Sequence, residues 1–212
     1  MAFTVYDYRT DVRNVVITPE IRSRFMRMEP GAVVARHSHD LGHEVFLVLE
    51  GRAEFEIDGE RAVLGPGQMC FARADQMHQV RVVGDTPMTL YLSVTPHIEP
   101  THTRWNGRGQ KLPPRYGTTT ASERANRLGA GQPPAALIDQ HTAAASALAA
   151  VAAANDAAQE KEAALLRRAL AAGDSQAAKA AVDAMWQQIY RTYKSVQAFE
   201  AAWNELTTLV SK

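Results

Sequence analysis

The sequence predicts a small β sandwich or barrel followed by a long two-helix hairpin. Three observations predict it. Short strand patterns punctuated by Gly and Pro run to about residue 112. From about residue 120 alanine becomes the dominant residue, and larger apolar side chains recur at helical spacing. Between the two, "GRGQKLPPRYGTTT" (107–120) breaks both helix and sheet.

The β elements follow in order. "IRSRFMRMEP" ends on a turn signal at Pro30–Gly31, and "AVVARHSH" is expected to form the next strand. "HEVFLVLEG" and "RAEFEIDGE" are expected to pair across Glu50–Gly51. Asp58–Gly59 reads as a hairpin turn and Gly65-Pro66-Gly67 as a further turn. "QMCFARA", "HQVRVVG" and "PMTLYLSVTP" complete the set. Strands this short and frequent favour a sandwich or barrel over alternating β-α units.

The helical half opens at Pro133–Pro134, where a missing N–H is harmless. Leu137, Ala144, Leu148, Val151, Ala158 and Leu165 follow an alternating four-three repeat, interrupted by the polar His141, Asn155 and Glu162. Gly173 is the expected stop, with Asp174 or Ser175 as the next N-cap. Val182, Met185, Ile189, Tyr193, Val196, Phe199, Trp203, Leu206 and Val210 then recur at helical spacing. A short turn between long helices implies an antiparallel hairpin. The aromatic stripe Trp186, Tyr190, Tyr193, Phe199 and Trp203 is expected to be core or intramolecular packing, with a subunit interface or ligand site as the alternative. The expected division is a barrel over 1–112, a linker over 113–134 and a hairpin over 135–212.

Composition excludes several classes. Lysine plus arginine balances aspartate plus glutamate at 23 each, which leaves no footprint for nucleic acid or an acidic membrane surface. Cys70 is the single cysteine, so no intramolecular disulfide forms; it reads as an inert buried thiol. The first residues lack a signal-peptide pattern, and no run approaches about 18 apolar residues. A cytoplasmic location is expected. Nucleophile elbows, phosphate loops and dinucleotide fingerprints are absent.

"GAVVARHSHDLGHEVFLVLEG" (31–51) holds three histidines and a glutamate within eight positions. His37 and His39, two apart on a strand, would share one face. After a turn at Asp40-Leu41-Gly42, Glu44 returns on the next strand, and "GPGQMCFARADQMHQV" brings His78 to the start of another. Three imidazoles and a carboxylate suit one divalent transition metal: iron, manganese, nickel, cobalt or zinc. His43, beside Glu44, would point to the opposite face as an ordinary, partly exposed histidine. His97 and His102, after the last strand, read as a solvated loop, with a place lining the barrel mouth as the alternative.

Gly31, His37-x-His39, Glu44 and Gly51, at their spacing, resemble the first motif of the cupin superfamily. Pro66–Gly67 and His78 resemble the second. Arg73 and Asp75 depart from it, standing where proline and glycine are common. The resemblance covers roughly residues 20 to 96. It implies a double-stranded β-helix (jelly-roll) barrel with His37, His39, Glu44 and His78 as metal ligands. It leaves the helical region unaddressed. The expected function is a metal-dependent enzyme of oxygenase, isomerase or lyase type, acting on a small organic molecule, anions included. Tyr91, Arg24 and Arg73 are candidates to orient an anion. Met26, Met28, Phe46 and Val48 are candidates for an apolar pocket wall. The alternative is a non-catalytic binding or sensing protein whose hairpin serves interaction or assembly. A two-fold homodimer is expected.

Overall fold

A computed structural model describes residues 3–116 and 132–211. Most of the expected linker, 113–134, lies outside them. Eight strands form two antiparallel sheets. The strands are β1 (Asn14–Ile17), β2 (Arg22–Met28), β3 (His43–Glu50), β4 (Ala53–Ile57), β5 (Glu60–Leu64), β6 (Met69–Ala72), β7 (His78–Val82) and β8 (Met88–Thr95). One sheet has the order β1-β2-β8-β3-β6 and the other β5-β4-β7. The architecture is a jelly-roll barrel, as expected.

Alternation along the strands builds its core. Glu44, Phe46 and Val48 on β3 and Leu90 and Leu92 on β8 face inward. They meet Phe55, Val80 and Val82 of the second sheet, and the Phe46 and Phe55 rings lie 5.3 Å apart. Burying such side chains stabilises the fold by about 1.5–3 kcal/mol each.

Two local expectations are corrected. β3 and β4 do not pair across Glu50–Gly51, because β3 lies between β6 and β8 while β4 lies between β5 and β7. Gly51 instead carries the chain from one sheet to the other. Its φ is +69°, and a Cβ there would come 2.3 Å from the Pro87 carbonyl oxygen. The "AVVARHSH" segment is no regular strand: it is joined by isolated bridges from Val33 to Arg81, His37 to His78 and Ser38 to Thr103. β1, too short to show alternation, escapes the sequence pattern. The Asp58–Gly59 turn is as expected, since both residues have positive φ and join Ile57 to Glu60.

The chain divides into two compact units, residues 1–130 with 207–212, and residues 131–206. In the second, α1 (Pro134–Ala172) and α2 (Ser175–Leu206) form a hairpin. Gly173 ends α1 at φ 68°, and Asp174 Oδ1 accepts the Ala177 N–H at 2.9 Å as the N-cap of α2. Ala169, Ala178 and Ala181 are buried near the turn, where small side chains let the backbones approach. Gln159 donates to the Met185 carbonyl at 3.1 Å, and His141 packs on Phe199 and Trp203. The aromatic stripe is therefore split. Phe199 and Trp203 pack within the hairpin, whereas Trp186, Tyr190 and Tyr193 are 57%, 50% and 64% exposed. A short 3-10 turn, Thr207–Val210, follows α2 and belongs to the β unit. Among the described residues no helix is long and apolar enough to cross a membrane.

Candidate metal centre

Three parts of the barrel converge on one point. The bridged segment brings His37 and His39, the second residue of β3 brings Glu44, and the first residue of β7 brings His78. His37 and His78 exchange backbone hydrogen bonds of 3.1 and 2.8 Å, which sets their rings 4.4 Å apart. Glu44 stands in the inward row of β3 with Phe46 and Val48, so the sheet that buries those apolar groups also buries its carboxylate. One donor atom from each of His37, His39, Glu44 and His78 lies within 4.8 Å of all the others, and all four residues are buried. Glu44 Oε2 is 2.9 Å from His39 Nε2, 3.0 Å from His78 Nε2 and 3.9 Å from His37 Nε2.

The proton positions follow from the outer face of each ring. His37 Nδ1 donates to the Ala35 carbonyl at 2.8 Å, His78 Nδ1 to the Gln76 carbonyl at 2.9 Å, and His39 Nδ1 to the Thr101 carbonyl. A carbonyl only accepts, so each Nδ1 carries a proton, and where a ring is neutral its bare Nε2 turns inward. Those lone pairs face a carboxylate, which also only accepts. A cation at the centre resolves that opposition, whether metal or protons on the rings. Crowding disfavours protons: burial, then the neighbouring His78, pushes His37 down to about 4. Burial pushes the Glu44 carboxyl up, but His39 and His78 outweigh it and hold it well below the usual range. Three rings with outward-anchored Nδ1 groups around one buried carboxylate fit a metal site. The second Glu44 oxygen, Oε1, lies 3.8 Å from Nη2 of the buried Arg22.

A cavity of ≈ 170 Å³ adjoins the cluster on the inside of the barrel. Arg22, Arg24, His37, Glu44 and His102 supply its polar wall, and Met26, Phe46 and Leu92 part of its apolar wall. Of the four expected wall residues, Met26 and Phe46 line it, while Met28 and Val48 lie in the surrounding core. Arg24 lines it as well. Tyr91 does not: it alternates with the inward Leu90 and Leu92, and its hydroxyl meets Ser23 Oγ at 2.9 Å. Arg73 is exposed, with its guanidinium over Phe71, and lines a separate surface groove with Cys70. Burial pushes the Cys70 thiol up to about 11, in keeping with an inert group. His43 is exposed, and its Nδ1 accepts the Ala74 N–H at 3.1 Å.

The solvated-loop expectation for His97 and His102 is overturned. His97 is 1% exposed. The His102 ring lies 4.8 Å from that of His37 and 5.0 Å from that of His39. Burial and the adjacent histidines push its pKa well down. Residues 101–112 form a strap rather than a free loop. Ser38 and Thr103 exchange backbone hydrogen bonds, Trp105 Nε1 donates to Ser38 Oγ at 3.1 Å, and Lys111 pairs with Asp40 at 2.8 Å. His102 thereby lines both the inner cavity and an outer hollow of ≈ 470 Å³. The signal available in sequence was "THTRW", in which Thr101 and Thr103 alternate with His102 and Trp105 follows.

Residues 24–95 match the model of the cupin domain family. The chain is 33% identical over 69 residues to the polyketide synthase CurC of Streptomyces cyaneus, a match covering 32% of this chain and 45% of that protein. It is 27% identical over 63 residues to the oxalate-binding protein of Thermotoga maritima, covering 30% and 52%. The chain thus spans about half the length of the curated relatives it matches. Among solved structures, a double-stranded β-helix domain protein of Klebsiella pneumoniae superposes with a TM-score of 0.42 at 23% identity, covering 45% of this chain and 91% of that one. BH2720 of Bacillus halodurans superposes with 0.43 at 19% identity, covering 49% and 87%.

Proposed function

We propose, for a chain whose residues 24–95 are a cupin domain, a metal-dependent enzyme acting on a small organic anion inside the barrel. One observation carries the reading. Three buried imidazoles with their Nδ1 protons anchored outward face one buried carboxylate, beside a cavity that two arginines line. His37, His39, Glu44 and His78 would hold one divalent metal of the iron, manganese, nickel, cobalt or zinc group. When bound, the metal supplies Lewis acidity or oxygen chemistry of oxygenase, isomerase or lyase type.

The chain's own residues supply the rest. Arg22, beside Glu44, and Arg24 add positive charge to the cavity wall, which favours an anionic ligand. The apolar wall of Met26, Phe46 and Leu92 excludes water and strengthens those charge interactions. A volume of ≈ 170 Å³ admits only a small molecule. Arg73 and Tyr91, directed elsewhere, take no part. The division of labour proposed is chemistry in the barrel of residues 1–112 and assembly through the hairpin of residues 135–212, in a two-fold dimer.

A second reading is a ligand-holding protein without turnover. One observation favours it: one relative is named an oxalate-binding protein. One experiment separates the readings. The metal-loaded protein is titrated calorimetrically with oxalate and other two- to four-carbon carboxylates, and each mixture is then followed for consumption of the acid. Binding lost on metal removal, and weakened by about 10- to 100-fold in Arg24→Ala, is expected. Consumption identifies an enzyme, and binding without consumption the second reading. Absence of carboxylate binding by the loaded protein would overturn both.

A further inference from the structure

We infer that the exposed stripe on α2 formed by Val182, Trp186, Ile189, Tyr190 and Tyr193 is an interface between two copies of this chain, pairing antiparallel about a two-fold axis near Ile189. The inference deepens the two-fold assembly proposed above by naming its surface. It stands apart from the metal centre, so either can fail alone.

Geometry is the first support. At 100° per residue the five side chains fall within an arc of about 100°. The centre of that arc lies about 100° round the helix from the line of Ala178 and Ala181, which are buried near the α1–α2 turn. A helix in a four-helix bundle touches two neighbours roughly a quarter turn apart. α1 supplies one neighbour to α2 and the stripe awaits the other. All five stripe residues are 48% exposed or more, although three are aromatic and two are β-branched.

Area is the second support. Aromatic side chains bury about 150–250 Å² each, and roughly half of Trp186, Tyr190 and Tyr193 is open. With Val182 and Ile189 added, two facing stripes remove on the order of 1,000 Å² from water, where specific interfaces begin. The composition is that of an interface centre, with tryptophan and tyrosine enriched and no charged side chain within the arc between Val182 and Tyr193, Lys179 lying one turn before it.

Charge at the rim then selects the occupant. Asp183 and Lys194 both border the same edge of the stripe, eleven positions apart; within the chain Asp183 pairs with the exposed Lys179 and Lys194 donates to Gln197 Oε1, solvent-exposed contacts that a second copy would exchange for its own. An antiparallel two-fold keeps that edge on one side and centres the pairing between them. Each Asp183 then faces Lys194 of the second copy, at both ends of the contact. A parallel pairing sets opposite edges together and loses this match. The stripe is therefore complementary to itself, as an isologous interface must be.

Sedimentation of the full-length protein tests the inference. Wild type is expected at twice the 23.2 kDa chain mass. The variant carrying Trp186→Glu and Tyr193→Glu is expected to be monomeric at the same concentration, with association weakened by about 100-fold or more and unchanged helical circular dichroism. Asp183→Lys and Lys194→Asp are each expected to weaken the dimer, by setting like charges together, and the double exchange to restore it. A wild-type monomer would overturn the inference, including one that sediments with lipid vesicles. So would a dimer indifferent to the stripe variant, and failure of the double exchange would overturn the antiparallel register.

Discussion

His102 shows how one residue outside the barrel strands can shape the site. Its ring packs against both His37 and His39, and it borders the inner cavity and the outer hollow alike. Val34 and His37 border both as well. Removing the ring in His102→Ala is expected to open the wall that the two share, while the four converging groups keep their anchors. Metal content is then expected to stay the same, while a coloured chelator strips the metal about tenfold faster or more. Equal stripping rates in wild type and variant would place the exit route elsewhere. The four clustered residues were legible in the sequence as positions of the two cupin-like motifs, although the segment carrying His37 and His39 is no regular strand. His102 was not, because its position depends on the pairing of Ser38 with Thr103, 65 positions away in the chain.

Among the elements, the crossing at Gly51 is the most constrained. The chain leaves one sheet and enters the other there, with positive φ and the Pro87 carbonyl against the missing Cβ. Gly51→Ala must shift that backbone, and a cost of about 2–4 kcal/mol is expected, read as a lowered midpoint in urea with an unchanged slope. A midpoint within error of wild type would show that the crossing yields freely. The same position explains a misreading. Glu50–Gly51 has the residues of a hairpin turn, yet β3 pairs with β8 and β6, both far along the chain. Turn chemistry reports where a chain bends; it does not report which strands then pair. Asp58–Gly59 was legible because its turn joins strands that are both local and paired. β1, with four residues, carried too little alternation to be seen.

At the scale of the whole molecule, composition already separated a β-rich half from an alanine-rich one. It left open what the hairpin buries. The stripe is half exposed because helical spacing marks an apolar face without naming its partner. The central claim concerns the other half, where a jelly roll holds four inward groups that only a cation satisfies together. Elemental analysis of the purified, untagged full chain tests it most directly, beside a variant with His37→Ala and His78→Ala whose fold is checked by circular dichroism. The account predicts close to one divalent transition metal per chain in wild type and its loss in the variant. Wild-type protein that holds no metal even after reconstitution, or a folded variant that holds as much as wild type, would contradict it.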